Sequence, residues 1–229
     1  MANILASVLA YVVLDIETGF APDEAVQKAL AGWEPPANIK DPEKLAERRS
    51  QAYASLVDKS ALFDEAPITS VAVVSGKMRE VYCGKNERAT LQSLRKLLDS
   101  QTGPETVLVG HNVTGFDIPK LRAAYIRHRL ALPMILRVDL DETKRPRVFD
   151  TMRTFRYFTS WRHEDRFVSL ADVIDAFGLP RYKSAISGKE MPALAARGEW
   201  ETIQEYNLLD AVATEAVYLL MTASHADLK

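Results

Sequence analysis

Apolar residues along this chain fall into short unbroken runs and longer stretches that return every three or four positions. Tyr11–Asp15 (YVVLD) is a β-branched run, apolar on both faces, which predicts a central strand. Ile68–Val74 and Met78–Cys83 predict two more strands, joined by Ser75-Gly76-Lys77 as a hairpin turn. Glu87–Leu98 has helical period through Leu91, Leu94, Leu97 and Leu98. Thr106–Gly110 predicts a fourth short strand. Ile118–Leu130 predicts a helix with Leu121, Ala124, Tyr125 and His128 on related faces. Phe149–Met152 reads as a short edge strand. Ser169–Phe177 and Lys189–Ala196 read as short helices, set apart by the turn signals Gly178, Pro180 and Gly188. One long helix runs from about Glu199 to Thr222. Strand, hairpin, helix, strand, helix is the order of an α/β arrangement, a mixed central β-sheet flanked by helices.

Between the first strand and the hairpin lies an insertion, roughly Gly19–Pro67. Its GWEPPANIK stretch is Pro-rich and irregular. Asp41 then reads as an N-cap with Pro42 at the first helical position, opening a helix to about Leu62. Lys44, Glu47, Arg48 and Arg49 give that helix a solvated surface, and packing at the sheet edge is the expected role. A lid or substrate arm is the alternative. Nothing resembles a linker, so residues 1–229 are expected to form one domain.

The net charge of −2 argues against a protein that coats duplex DNA through many phosphate contacts. Cys83 is the only cysteine, which excludes an intramolecular disulfide and a thiolate zinc cluster and fits a reducing compartment. The start, MANILASVLAYVVL, is apolar but lacks a basic opening and is too short to span a bilayer. A soluble, cytoplasmic protein with no membrane partner is therefore expected.

The candidate chemistry sits at the end of the first strand, at the start of a helix and on one face of the last helix. Residues two apart on a strand project from one face, so Asp15 and Glu17 point the same way. An acidic pair at a strand end is more often plain surface. This one closes a strand too apolar for an edge, and α/β folds place ligands at the ends of central strands. In the last helix Ile203, Tyr206, Asp210, Ala213 and Val217 share a face that is apolar except for Asp210. A carboxylate there needs a cation or many donors; the plainer account is a salt bridge to a core arginine. Tyr206, one turn earlier, can reach whatever Asp210 holds, or is merely core. Asp117 follows a short strand and a Gly-containing loop that carries His111 and Asn112, and ordinary helix capping would also explain it. His111, His128, His163 and His225 show no metal-ligand spacing. Oxygen-only ligands select hard cations, Mg²⁺ or Mn²⁺, over zinc, and roughly four negative charges would be balanced by two of them. That much points to metal-assisted phosphodiester hydrolysis.

DIET, HNVTGFD and YNLLDAVAT, in that order and spread across most of the chain, resemble the three motifs of the DEDD superfamily of exonucleases. Tyrosine four residues before the last aspartate is similar to the tyrosine subtype found in proofreading domains of DNA polymerases. The histidine subtype would need histidine where this chain has Glu205. The stretch from Phe149 onward, with GKEMPALAARGEWETIQEYNLLDAVAT, is similar to predicted exonucleases related to the family B polymerase exonuclease domain. The resemblance implies a ribonuclease H-like fold and 3′–5′ removal of nucleoside 5′-monophosphates. It also implies a two-metal site on Asp15, Glu17, Asp117 and Asp210, with Asp15 bridging. The insertion after DIETG departs from a minimal core, and no polymerase-like stretch accompanies the motifs, so a freestanding enzyme is expected.

Tyr206 suits orienting the attacking water better than general-base work, because a free phenol ionises near about 10. The expected substrate is nucleic acid, single-stranded DNA 3′ ends, with RNA or oligoribonucleotides as the alternative. Candidate substrate contacts are Thr18, Phe20, His111 and Asn112. Phe20 either wedges against the terminal base or anchors the insertion. The tract Lys144–Arg166 interleaves Lys144, Arg145, Arg147, Arg153, Arg156, Arg162 and Arg166 with Phe155, Tyr157, Phe158 and Trp161. That is the composition of a single-strand groove, or else a mixture of core aromatics and surface arginines. Lys183 and Lys189 flank a Gly-containing turn and could meet phosphate. Two rival classes are a non-catalytic nucleic-acid-binding module of the same fold and a buried structural ion-pair cluster.

Overall fold

The structure, a computed structural model, describes residues 9–137, 147–158, 167–181 and 186–226. Five strands are described: β1 (Tyr11–Thr18), β2 (Ile68–Ser75), β3 (Met78–Cys83), β4 (Val107–Gly110) and β5 (Val148–Asp150). They form one sheet in the order β3-β2-β1-β4-β5. β1 runs antiparallel to β2 and parallel to β4. β1 is longer than its apolar run predicts, because Asp15, Glu17 and Thr18 continue to pair with β2. Its pairing with β4 stops at Val13↔Val109. The acidic end of β1 therefore extends past its last pairing with β4.

Alternation along β1 sorts its residues between two cores. Val12, Leu14 and Ile16 share one core with Leu91, Leu94 and Leu98 of α3 (Glu87–Gln101) and Leu121 and Tyr125 of α4 (Asp117–Arg127). Val13 lies on the other face, with Ala72, Val74, Val109 and Ala211. Ala211 belongs to α8 (Trp200–Ala226), which crosses the sheet on that side. Asp15 and Glu17 continue the Val13 face, so the odd positions of β1 aim both carboxylates at α8. A separate cluster joins α5 (Thr151–Phe158) and α6 (Leu170–Ala176) to the far half of α8 through Phe155, Val173 and Val217. Met191 and Leu194 of α7 (Met191–Arg197) pack on Ile203 near the start of α8.

Three expectations need correction. The stretch Phe149–Met152 is not one strand: β5 ends at Asp150, and Met152 and Phe155 then fall on the buried face of α5. The insertion contains an unforeseen helix, α1 (Asp23–Ala31), which buries Val26 and Leu30 at helical spacing. The second, α2 (Pro42–Lys59), starts as expected, with the Asp41 side chain accepting from Glu43 N at 2.9 Å and Pro42 in the first turn. It buries no residue, and its main neighbours are α1 and the turn Ser60–Leu62 rather than the sheet edge.

The end of the insertion is bonded to the body. Gly19 N donates to Pro67 O at 2.8 Å, and Thr18 Oγ1 to Ala61 O at 3.0 Å. Ala21 N donates to Ser60 Oγ at 3.2 Å, and Arg127 Nη1 to Asp64 O at 2.7 Å. The buried Lys120 donates to Phe63 O. Among the described residues no helix is long and apolar enough to cross a membrane.

Candidate active site

Asp15, Glu17 and Asp210 each bring a carboxylate oxygen within 4.8 Å of the others. β1 supplies the first two from its α8-facing side, and α8 supplies the third. Asp117 arrives from the opposite side of β1. Its Oδ1 accepts the N–H of Ile16 at 3.1 Å, a backbone donor three residues beyond Val13, the last β1 residue that pairs with β4. Asp117 is the first residue of α4, and its buried side chain accepts both from Ile16 N on β1 and from its own backbone N–H. Asp117 thus stands beside the trio, close enough to act electrostatically on Asp15 and Glu17.

The four carboxyl groups resist ionisation together. Burial, then the charges of Asp117, Asp210 and Glu17, push Asp15 well above the ordinary range. Glu17 is raised by burial and by Asp210 and Asp117. Burial raises Asp117 to about 7, partly offset by its hydrogen bonds to backbone N–H groups. Asp210 is raised by burial and lowered by the hydroxyl of Tyr206. Among the described residues no arginine, lysine or histidine forms an ion pair with any of the four. The salt-bridge account of Asp210 therefore finds no partner there. Clustered carboxylates with no ion-pair partner among the described residues suit hard divalent cations.

Tyr206 donates a hydrogen bond to Asp210, and burial together with Asp210 pushes its phenol further above the ordinary value. The backbone of Gly188 closes over this hydroxyl: a Cβ there would lie 3.3 Å from Tyr206 Oη. Two polar residues were not anticipated. Asn207 is fully buried and donates from Nδ2 to Asp15 Oδ2 at 2.6 Å, while its Oδ1 accepts from Ser70 Oγ at 2.7 Å. Its signal in the sequence is faint: a neutral amide three residues before Asp210 in YNLLD. Asp150, at the end of β5, accepts from Asn112 N, Thr114 N and Thr114 Oγ1 at 3.1, 3.1 and 2.7 Å. It thereby builds the loop that delivers Asp117. An aspartate directly after a short apolar run, as Asp15 and Asp150 both are in the sequence, was the available clue. Gly110 lets this loop leave β4, since a Cβ there would meet Leu14 O at 2.9 Å.

Residues 65–229 match a family described as predicted 3′–5′ exonucleases related to the exonuclease domain of PolB. The chain belongs to that family. No curated protein matches it. Among solved structures it is similar to the family B DNA polymerase of the hyperthermophilic archaeon Pyrobaculum calidifontis. That match is 16% identical with a TM-score of 0.55, covering 94% of this chain and 24% of the polymerase. E. coli exonuclease I in complex with a dT13 oligonucleotide is 11% identical with a TM-score of 0.47, covering 93% of this chain and 40% of that one. The chain thus spans well under half the length of either. The likeness to the polymerase shows the fold, which is ribonuclease H-like as expected. As a member of this exonuclease family the chain is a predicted 3′–5′ exonuclease. The matched stretch holds Asp117, Tyr206 and Asp210 but starts after β1, and the fold brings Asp15 and Glu17 to the same point.

The expected substrate contacts of this exonuclease divide. Thr18 is buried with its hydroxyl committed to Ala61 O. His111 is committed too: Nε2 lies 2.8 Å from Val168 O and Nδ1 3.0 Å from Thr151 Oγ1, and burial holds the ring below its ordinary pKa. A carbonyl only accepts, so Nε2 carries the proton. Asn112 is half-buried in a left-handed conformation, φ 59°. Phe20 lines a groove of about 220 Å³ with Trp200, Pro67, Ala195 and Lys85, at the end of β1.

The basic tract also resolves unevenly. Phe155 is core, edge-to-face on Phe177. Arg147 donates to Pro104 O, Arg153 lies 3.9 Å from Asp150, Arg156 is half-buried and Tyr157 is exposed. Lys189 is exposed beside Gly188. Lys144, Arg145, Trp161, Arg162, Arg166, Lys183 and the Phe158 side chain lie outside the described residues.

Proposed function

We propose that this chain is a DEDD exonuclease of the tyrosine subtype, removing nucleoside 5′-monophosphates from single-stranded DNA 3′ ends. Asp15, Glu17, Asp117 and Asp210 would hold two Mg²⁺ or Mn²⁺ ions. Such a pair of cations supplies activation of a water and stabilisation of the leaving oxygen in an in-line displacement at phosphorus. The observation that carries this reading is the convergence of three carboxylates within 4.8 Å, with Asp117 beside them and no ion-pair partner among the described residues. The single-stranded reading is also supported by the groove that Gly19 and Phe20 line just after β1, whose Phe20 and Trp200 rings suit stacking on an unpaired base. Lys85 at its rim suits a phosphate. Asn112, half-buried on the loop that leads to Asp117, is the second candidate contact, while Thr18 and His111 act as scaffold.

Tyr206 does not serve as a base, because its phenol is held protonated by burial and by Asp210. A protonated hydroxyl fixed at the carboxylates orients the attacking water. The test is incubation of 5′-labelled single-stranded DNA and RNA oligonucleotides with Mg²⁺ or Mn²⁺. A ladder shortening from the 3′ end, stronger on DNA and abolished by chelator and by Asp210→Ala, is the expected result. Preferential cutting of RNA would move the substrate to the 2′-hydroxyl class. Full activity of Asp210→Ala would remove the site, and no Mn²⁺ uptake with retained DNA binding would make the chain a binding module.

A further inference from the structure

Asn207 has no part in binding cations or orienting water in the reading above, yet its whole amide is spent at the site. It is 0% exposed, as is its partner Ser70 on β2, which pairs opposite Glu17. The two ends of an amide are told apart by their partners alone. An Asp15 that ligates a cation is ionised and has no proton to give, so in that reading the NH₂ faces its Oδ2, at 2.6 Å. The carbonyl end then faces Ser70, whose hydroxyl donates to Oδ1 at 2.7 Å. Proton donation thus runs one way, from Ser70 through Asn207 to Asp15, across residues separated by most of the chain. Asn207 is also a neutral donor placed among like charges: it can hold one carboxylate in direction without pairing with it as a cation would.

We infer that Asn207, oriented by Ser70, is a positioning residue that sets the direction of the Asp15 carboxylate and so the affinity of the site for divalent cations. This rests on the reading of the carboxylates as cation ligands. Outer partners that orient a ligating side chain typically carry about 10- to 100-fold in metal affinity. Asn207→Ala should therefore weaken Mn²⁺ binding, titrated by calorimetry on the full chain, by roughly that factor. Its cleavage of single-stranded DNA should recover as Mn²⁺ is raised. Ser70→Ala keeps the amide but frees it to turn, and should weaken binding less. The double variant should match Asn207→Ala alone, because Ser70 acts only through Asn207. Unchanged Mn²⁺ affinity in Asn207→Ala, with or without a lower melting temperature, would overturn the inference and leave the site reading intact. Should Asn207→Ala fail to fold, unchanged affinity in Ser70→Ala would overturn it equally. If the unaltered chain takes up no Mn²⁺, the site reading itself fails.

Discussion

Tyr206 and the four carboxylates show why one aspartate at a time is weak evidence and a set of them is strong. Each carboxyl is pushed up by burial, and all but Asp210 also by a neighbouring carboxylate, so the cluster is a reservoir of protons when no cation is bound. In the unfolded chain the same groups titrate near about 4. Between that range and the value of about 7 for Asp117, the folded state holds more protons than the unfolded one. Metal-free protein should thus be most stable in mild acid and lose stability as pH rises through this window. Melting temperatures in chelator should fall from pH 5 to pH 8, while saturating Mn²⁺ should flatten or reverse the trend. A rising melting temperature in chelator would contradict the shifted carboxylates. The Tyr206 hydroxyl calls for a separate measurement. Tyr206→Phe should lower single-turnover cleavage by roughly 10²-fold, the cost of a misplaced reactant, and leave Mn²⁺ affinity within twofold. Loss of metal binding in that variant would make the tyrosine structural instead.

At the scale of elements, the loop between β4 and α4 depends on a residue outside the motifs. Asp150 collects three donors from residues 112–114 and a fourth from Arg153 N at 3.2 Å. Removing it by Asp150→Ala would orphan the two buried donors of Thr114, each costing about 1–3 kcal/mol. The expected outcome is a lower melting temperature together with weaker Mn²⁺ binding, because Asp117 loses its platform. Asp150→Asn keeps one accepting oxygen and should fall between. Stability loss without any change in Mn²⁺ affinity would show that loop and site are uncoupled. The same elements show what sequence patterns can and cannot reach. β1, β2, β3, α3, α4 and α8 were legible because their apolar runs or helical spacings are long and their ends carry turn residues. α1 is only nine residues, and the first turn of α5 hid behind the apolar Phe149 and Met152. Asp15, Glu17 and Asp117 were legible as charges beside the ends of apolar runs, and Asp210 as the one charge on an apolar helix face. Asn207 raised no such alarm, being neutral. Thr18 and His111 looked like contacts because their partners, Ala61 and Val168, lie 43 and 57 residues away, beyond what local pattern encodes.

For the whole molecule the open question is the insertion, and we propose that residues 1–229 form one domain in which only its final segment is structural. The stretch from Ser60 to Pro67 is bonded to β1 and α4 by Thr18, Gly19, Ala21, Lys120 and Arg127. It forms a wall beside the acidic end of β1. By contrast, α2 buries nothing, and α1 buries only Val26 and Leu30. The two ends of the α1–α2 pair are neighbours, since Ala21 N bonds Ser60 Oγ. A short flexible linker can therefore replace residues 22–59 with little closure cost, given how slowly that cost grows with length. The shortened chain should stay folded, melting within a few degrees of the full one. It should keep its Mn²⁺ affinity, because none of the candidate ligands touches the removed part. What should change is handling of long single strands, measured as cleavage rate against oligonucleotide length, if the exposed face of α2 guides substrate towards Phe20. Equal rates at every length would leave α1 and α2 without a substrate role. Collapse of the shortened chain into aggregates, or loss of its Mn²⁺ binding, would show instead that the two helices support the core, and the division between wall and appendage would fall.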